Sequence, residues 1–183
     1  MAKKHLGTLT ASSSSSLEFT SGITSSYQAL EFYLLNLHPS TDAVYLYFAL
    51  STDGGSNYNV NMNTAFSELK HDENDTSGGG LSTGTFTYNT SLDVSSSRPA
   101  YLSPLIGADN DQSVNGKLSL YIPSDTTYAP SWTCETSTAA YTDYIHQCFV
   151  NASCSAGSAI NAVKFYMSGG NIDSGKIKLF GVS

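Results

Sequence analysis

Residues 43–50, Ala43-Val-Tyr-Leu-Tyr-Phe-Ala-Leu50, decide the fold class. In an extended strand successive side chains point to opposite faces. One face of this stretch then carries only aliphatic and Phe side chains, and the other carries Tyr45, Tyr47 and Ala49. A strand that is apolar on both faces is typical of the core of a β-sandwich. Residues 26–37 just before it are equally apolar, and they predict a second strand, with a buried helix as the alternative.

The same alternation recurs along the rest of the chain, with turn residues between the repeats. Further strands are predicted at 58–66, 83–89, 98–106, 116–122, 140–150, 159–168 and 176–182. About nine to eleven short strands with no convincing helix indicate an all-β fold, a single antiparallel β-sandwich of the jelly-roll kind. The first residues differ, because Ser12–Ser16 is a serine run that builds no core. We therefore expect a flexible arm over residues 1–16 and the sandwich domain over residues 17–183.

Composition and charge exclude several classes of function. Of the 183 residues, 30 are Ser and 18 are Thr, and only 13% are charged, against roughly 25% in ordinary domains. The net charge of −7 and the single arginine, Arg98, argue against binding to nucleic acid or to anionic lipid. No apolar run is long enough to cross a membrane. We also expect no secretory signal peptide, since no apolar stretch follows Met1–Lys4.

Three cysteines are an odd number for a disulfide framework. Cys148 and Cys154 flank a turn-like Asn-Ala-Ser, so a bridge across a hairpin is conceivable. Three half-buried thiols, together with Cys134, are the favoured interpretation for a protein made in a reducing compartment.

Residues with catalytic or metal-binding chemistry are scattered. His146 lies close to Cys148 in a predicted strand and would be placed to assist a thiolate, although a structural histidine is the favoured interpretation. The acidic segments Asp109-Asn-Asp111 and Glu68–Asp75 are expected to be solvated loops, because neither follows the spacing of a calcium loop. We therefore predict a non-enzymatic protein without a cofactor or a bound metal.

Aromatic residues are the remaining candidates for a binding site. Tyr128, Trp132, Tyr141 and Tyr144 fall in one region of the sequence. Exposed rings beside polar groups would form a platform for a glycan. The favoured interpretation is that these rings belong to the core or to a contact between subunits, where Tyr and Trp are common.

Two stretches carry a resemblance to known proteins. They are Phe48-Ala-Leu-Ser-Thr-Asp-Gly-Gly-Ser-Asn-Tyr58, preceded by Tyr27–Pro39, and Met167-Ser-Gly-Gly-Asn-Ile-Asp-Ser-Gly-Lys-Ile-Lys-Leu-Phe-Gly181. Together they resemble a group of small virion-associated proteins of tailed bacteriophages, common in marine and cyanobacterial phages. The resemblance implies a structural or attachment role on the particle, for a protein made in the bacterial cytoplasm.

Two functions follow from these observations as expectations. The first is a decoration or cement protein of the phage head, which binds the major capsid protein or other virion proteins and assembles as a homo-oligomer, taken here as a trimer. The second is a tail-fibre or receptor-binding module that recognises a host surface glycan and exposes Trp132 on a concave face. A glycan-cleaving enzyme would need two carboxylates facing each other at ~5–9.5 Å across a cleft.

Overall fold

The inward-facing aliphatic and aromatic side chains gather the chain into two antiparallel sheets. The computed structural model describes residues 2–72, 100–154 and 157–183. The strands are β1 (Lys3–Thr10), β2 (Leu17–Phe19), β3 (Ala29–Pro39), β4 (Val44–Ser51), β5 (Met62–Asp72), β6 (Ala100–Ile106), β7 (Val114–Tyr121), β8 (Ser131–Ala139), β9 (Tyr144–Cys154), β10 (Ala162–Met167) and β11 (Ile172–Val182). These ranges contain no helix, so the predicted all-β sandwich is confirmed. The strand predicted at 83–89 lies outside the described residues.

The large sheet has seven strands in the order β1-β11-β3-β7-β8-β9-β5, and the small sheet has four in the order β2-β10-β4-β6. Four antiparallel pairs are nested within one another along the sequence: β1 with β11, β2 with β10, β3 with β7, and β4 with β6. Strands β5, β8 and β9 extend the large sheet beyond β7. The eight nested strands therefore form one long hairpin folded over into both sheets.

The inner faces of the two sheets share one hydrophobic cluster. Phe32 of the large sheet packs against Phe165 of the small sheet, with ring centroids 5.5 Å apart, and Phe165 in turn packs against Phe48. The predicted alternation of residues 43–50 is confirmed for the aliphatic and Phe side chains, which are buried. Tyr45 and Tyr47 lie half-buried on the outer face of the small sheet.

The prediction of a flexible arm over residues 1–16 is wrong for residues 3–14. Lys3–Thr10 pairs with β11 as an edge strand, and Ser14 forms a bridge with Ile172. Ala11 is buried in the core. At the other end of the pair, the Ser183 amide donates a hydrogen bond to the Ala2 carbonyl. The backbone of β11 thus supplies the hydrogen bonds that hold these residues, and β1 belongs to the sandwich.

One acidic segment and two of the cysteines also differ from expectation. Glu68 lies inside β5 rather than in a loop, because β5 pairs with β9 along its whole length.

Cys148 and Cys154 lie on the same strand, β9, and all three cysteines are free and buried. Six residues of extended strand span roughly 20 Å, so a bridge between Cys148 and Cys154 is excluded.

Candidate functional site

The four aromatic residues proposed as a binding platform are not brought together. Tyr128 lies 70% exposed in the β7–β8 loop, while Tyr141 and Tyr144 lie at the β8–β9 turn. The nine-residue strand β8 separates the two ends by roughly 30 Å. Tyr128 and Tyr141 are exposed, and Tyr144 is half-buried beside His146. The prediction that these four rings form a single platform is therefore wrong.

Trp132 is the clearest departure from the expected site. Its side chain is only 1% exposed and packs edge to face on Phe48, with ring centroids 5.2 Å apart. Its indole N–H points at the sulfur of Met62, 3.3 Å away. The expectation of an exposed Trp132 on a concave face is wrong, because β8 directs this residue into the core.

The residues next to Trp132 do line a groove, on the opposite face of the sheet. The groove has a volume of about 420 Å³ and runs over the outer face of β8, β9 and β5. Its exposed polar residues are Asn63, Thr133, Asn151 and Ser153, with the half-buried Ser131 and the exposed Ala65 among them. The side chains are small in this part of the sheet, so the surface is depressed between larger neighbours.

Two exposed rings border this groove. Tyr121, on β7, pairs with Ser131, and its hydroxyl lies 3.3 Å from that of Thr133. Phe149 is 38% exposed one row further along β9, beyond Asn151. Amide and hydroxyl groups between two exposed rings can hydrogen-bond and stack on a flat ligand that carries hydroxyl groups.

A second surface lies on the outer face of the small sheet. It is called the tyrosine face here and consists of Tyr45, Tyr47, Tyr58, Tyr101 and Tyr166, all half-buried. Tyr47 contacts Tyr166 at 5.4 Å between centroids, and Tyr45 contacts Tyr101 at 5.8 Å. The alternation of Tyr with buried aliphatic residues was the sequence signal for this face. It was missed because apolar residues on both faces suggested a strand covered on both sides.

One ion pair anchors the edge of the tyrosine face. Lys164 lies 3.2 Å from Glu18 and sits over the rings of Tyr58 and Tyr166. The Tyr58 hydroxyl donates to the second Glu18 oxygen at 3.0 Å. Partial burial alone would raise the pKa of Glu18, but hydrogen bonds from Ser16, Tyr58 and Lys164 lower it. Glu18 is therefore a neutralised anion that holds the ring of Tyr58 in place.

The His146 and Cys148 pair does not form a nucleophilic site. His146 is buried and hydrogen-bonds to Glu68 through Nδ1. Cys148 is fully buried, and this burial raises its pKa to about 12. A thiol with such a pKa is protonated at neutral pH and is a poor nucleophile. This supports the interpretation of His146 as a structural histidine.

Among the described residues, no group of three or more His, Cys, Asp and Glu side chains is placed to hold a metal ion. Asp109 and Asp111 lie exposed in the β6–β7 loop. Within the same ranges, no helix has the length and apolar character needed to cross a bilayer.

No protein-family model, no curated protein and no solved structure matches this chain. By its own geometry, the protein is an antiparallel β-sandwich with a polar groove on the large sheet and a tyrosine face on the small sheet.

Proposed function

We propose that the protein is a non-enzymatic structural component of a tailed bacteriophage particle, made in the bacterial cytoplasm and bound to the outer surface of the head as a decoration protein. The stretches that carry the phage resemblance support this, because two of them form neighbouring strands. Residues 27–39 include β3, which pairs with β11 in the stretch 167–181. Residues 48–51 of the third stretch lie on β4 of the small sheet, where they pair with residues 162–165 of β10. The resemblance thus covers strands of both sheets.

The strand order supports a jelly roll as the finer description of the fold. If β1, β2, β3, β4, β6, β7, β10 and β11 are numbered one to eight, the sheets follow the orders 1-8-3-6 and 2-7-4-5. Each sheet then combines the two arms of one folded hairpin. Jelly rolls of eight strands occur in viral capsid and lectin domains, which agrees with a role on a virus particle.

The tyrosine face is the observation that carries the proposal. It presents several half-buried rings around a single neutralised ion pair, Glu18 with Lys164. Rings that are already packed against one another lose little conformational entropy on binding, and aromatic residues are enriched in protein interfaces whereas Lys and Glu are depleted. We therefore assign the contact with the capsid shell, including the major capsid protein, to this face.

The first test is the position of the protein in the particle. Cryo-electron microscopy of wild-type particles and particles lacking the gene should show difference density on the outer head surface, at capsid symmetry positions. Density confined to the tail would overturn the decoration role, and so would absence of the protein from purified particles.

The second test measures binding to heads that lack the protein. Tyr47→Ser together with Tyr166→Ser should reduce co-sedimentation with heads at least tenfold, while Tyr128→Ser, which removes an exposed ring from a loop, should leave it unchanged. Thermal unfolding of each variant checks that the fold is retained. Equal binding by the folded double variant and the wild type would overturn the assignment of this face.

The groove beside Tyr121 and Phe149 favours a second candidate, a module that recognises a host glycan. Its amides and hydroxyls suit the hydroxyl groups of a sugar, and the two exposed rings suit stacking. Glycan-array binding that is lost in Asn151→Ala and retained in Asn59→Ala, an exposed asparagine outside the groove, would support this candidate. Absence of binding to any host polysaccharide would argue against it.

A further inference from the structure

The charges of this acidic protein are distributed unevenly over its surface. The chain has a net charge of −7 and only eight basic residues. Four of the eight lie on the outer face of the strands β1, β11, β3 and β7, where the carboxylate of Glu31 lies among them. This surface, called the basic face, carries Lys3, Lys117, Lys176, Lys178 and Glu31.

Glu31 organises one half of the basic face. Its carboxylate lies 2.6 Å from Lys3 and 3.7 Å from Lys117, and it accepts a hydrogen bond from the hydroxyl of Tyr33 at 2.9 Å. Partial burial would raise the pKa of Glu31, but hydrogen bonds from Lys3 and Tyr33 lower it. Glu31 therefore stays charged and neutralises part of the positive charge of Lys3 and Lys117. Lys176 and Lys178 on β11 have no carboxylate opposite them, since their partners across the ladders are uncharged or aromatic.

The basic face also carries aromatic surface. The ring of Phe180 lies 5.2 Å from His5 and 5.4 Å from Tyr33, measured between centroids. Lys3 lies 5.7 Å from the Tyr33 ring centre. Rings surrounded by lysines form a sheet face suited to a partner that is acidic and offers some apolar contact.

Acidic residues are concentrated at one end of the sandwich. The loops 40–43, 107–113, 140–143 and 168–171 contain four aspartates and no Lys or Arg, and Asp173 follows them on β11. This surface, called the acidic end, consists of Asp42, Asp109, Asp111, Asp143 and Asp173, all exposed.

Hydrogen bonds hold the loops of the acidic end together. Asp42 accepts a hydrogen bond from the Ala108 amide at 2.6 Å. His38 hydrogen-bonds to the Asp109 carbonyl at 3.1 Å and lies 3.9 Å from the Asp173 carboxylate. Because the loops are tied to one another, their carboxylates are presented as one surface.

We propose that the basic face is a docking surface for the acidic end of a second copy of this chain. The charges of the two surfaces are complementary, since the basic face is positive and the acidic end is negative, and the two surfaces lie at different places on the molecule. A contact between two different surfaces is heterologous, so it closes into a ring or continues as a chain of copies. The tyrosine face lies on the other sheet and stays available for the head. The inference goes beyond the proposed function and does not depend on it.

The test uses the purified full chain, without capsids. Sedimentation velocity and light scattering should show oligomers in 0.1 M NaCl that dissociate in 1 M NaCl, where charges are screened beyond about 3 Å. Lys178→Glu and Asp111→Lys should each weaken association about three- to tenfold, the range expected when one charge pair is reversed. Lys4→Glu makes the same change in net charge as Lys178→Glu, on an exposed residue of β1 outside the basic face, and it should leave association unchanged.

Mixing the two variants gives the decisive measurement. The altered basic face of Lys178→Glu is complementary to the altered acidic end of Asp111→Lys, so an equimolar mixture should recover association. A wild-type protein that stays monomeric in 0.1 M NaCl would overturn the inference, and so would a mixture that fails to associate. Neither result bears on head binding, which is measured separately with the tyrosine-face variants.

Discussion

Phe48 of the small sheet and Trp132 of the large sheet pack edge to face across the sandwich, with ring centroids 5.2 Å apart. Edge-to-face pairs at this distance stabilise beyond their buried area. The pair joins the sheet extension formed by β8 and β9 to the core of the nested strands. Trp132 is therefore a residue of the fold, and the binding surfaces lie on the outer faces of the sheets.

Replacing Trp132 should affect stability first. We expect Trp132→Ala to lower the free energy of unfolding by about 3–5 kcal/mol, because it leaves a cavity against Phe48 and Met62. Urea unfolding followed by circular dichroism measures this. Tyr128→Ala, on an exposed ring, should stay within about 0.5 kcal/mol of the wild type. A Trp132→Ala protein of unchanged stability would contradict the buried position.

The turn after β4 should make the stability of the fold depend on pH. Asp53 accepts hydrogen bonds from the Asn57 side chain and backbone and from Ser51, which lower its pKa from 3.8 to about 2. A carboxyl group whose pKa is lowered in the folded state stabilises the fold at pH values above its unfolded-state pKa, which is near 4. This stabilisation is lost as the pH falls toward 2. Asp53→Asn should therefore lower the melting temperature much more at pH 6 than at pH 2. Asp111→Asn, in an exposed loop, serves as the control, and a difference of undiminished size at pH 2 would argue against the carboxylate as its source.

Gly175 is required where β11 bulges against β3. Its φ is +109°, and a Cβ there would lie 2.4 Å from the carbonyl oxygen of Asn36. Gly175→Ala should lower the free energy of unfolding by about 1–3 kcal/mol or more, because the backbone strain and the close contact with Asn36 both contribute. Gly54 has a φ of +76° with no atom within 4 Å of its added Cβ, so Gly54→Ala reports the backbone cost alone. Equal losses in the two variants, measured by urea unfolding, would show that the contact with Asn36 is relaxed.

Removal of residues 2–10 should destabilise the whole sandwich. The deletion uncovers the edge of β11 and takes away Leu6 and Leu9, which pack against the core. We expect a lower melting temperature and aggregation through the open strand edge, measured by differential scanning calorimetry and light scattering. A truly mobile arm could be removed without changing the melting temperature.

The native thiols should be unreactive. Burial raises the pKa of Cys148 and of Cys154 to about 12, and it raises the pKa of Cys134 as well. A chromogenic disulfide reagent at pH 8 should modify none of them in the folded protein and all three in urea. Ser153→Cys, which places a thiol at an exposed position beside Cys154, should react at once. Rapid reaction of the wild type would show that β9 opens in the native state.

The central strands were predictable because residues 43–50 and 116–122 alternate buried aliphatic side chains with others. Strand β1 was not, since an edge strand covered on one side keeps Lys, His and Thr in its sequence and buries little. Residues 68–72 suggested a loop because the partner of Glu68, His146, is 78 positions away. Long-range pairs of this kind leave no local pattern.

The site was predicted poorly for a related reason. Thr136 and Thr138 fill interior positions of β8 by hydrogen-bonding to the Leu102 carbonyl and to Ser103. Hydroxyl groups satisfied in this way hide the alternation that would have shown Trp132 to be internal. The groove depends on side-chain size across three strands, so residues 131–133 alone did not reveal it.

The position of β11 between β1 and β3 affects how the protein folds while it is being synthesised. A chain grows from its N-terminus at about 5–20 residues per second, so roughly 10–30 s separate the emergence of β1 from that of residues 172–182. During that time β1 has no partner strand and β3 has one open edge. Completion of the large sheet therefore waits until residues 172–182 have been synthesised, and the nascent chain must keep the edges of β1 and β3 unpaired until then.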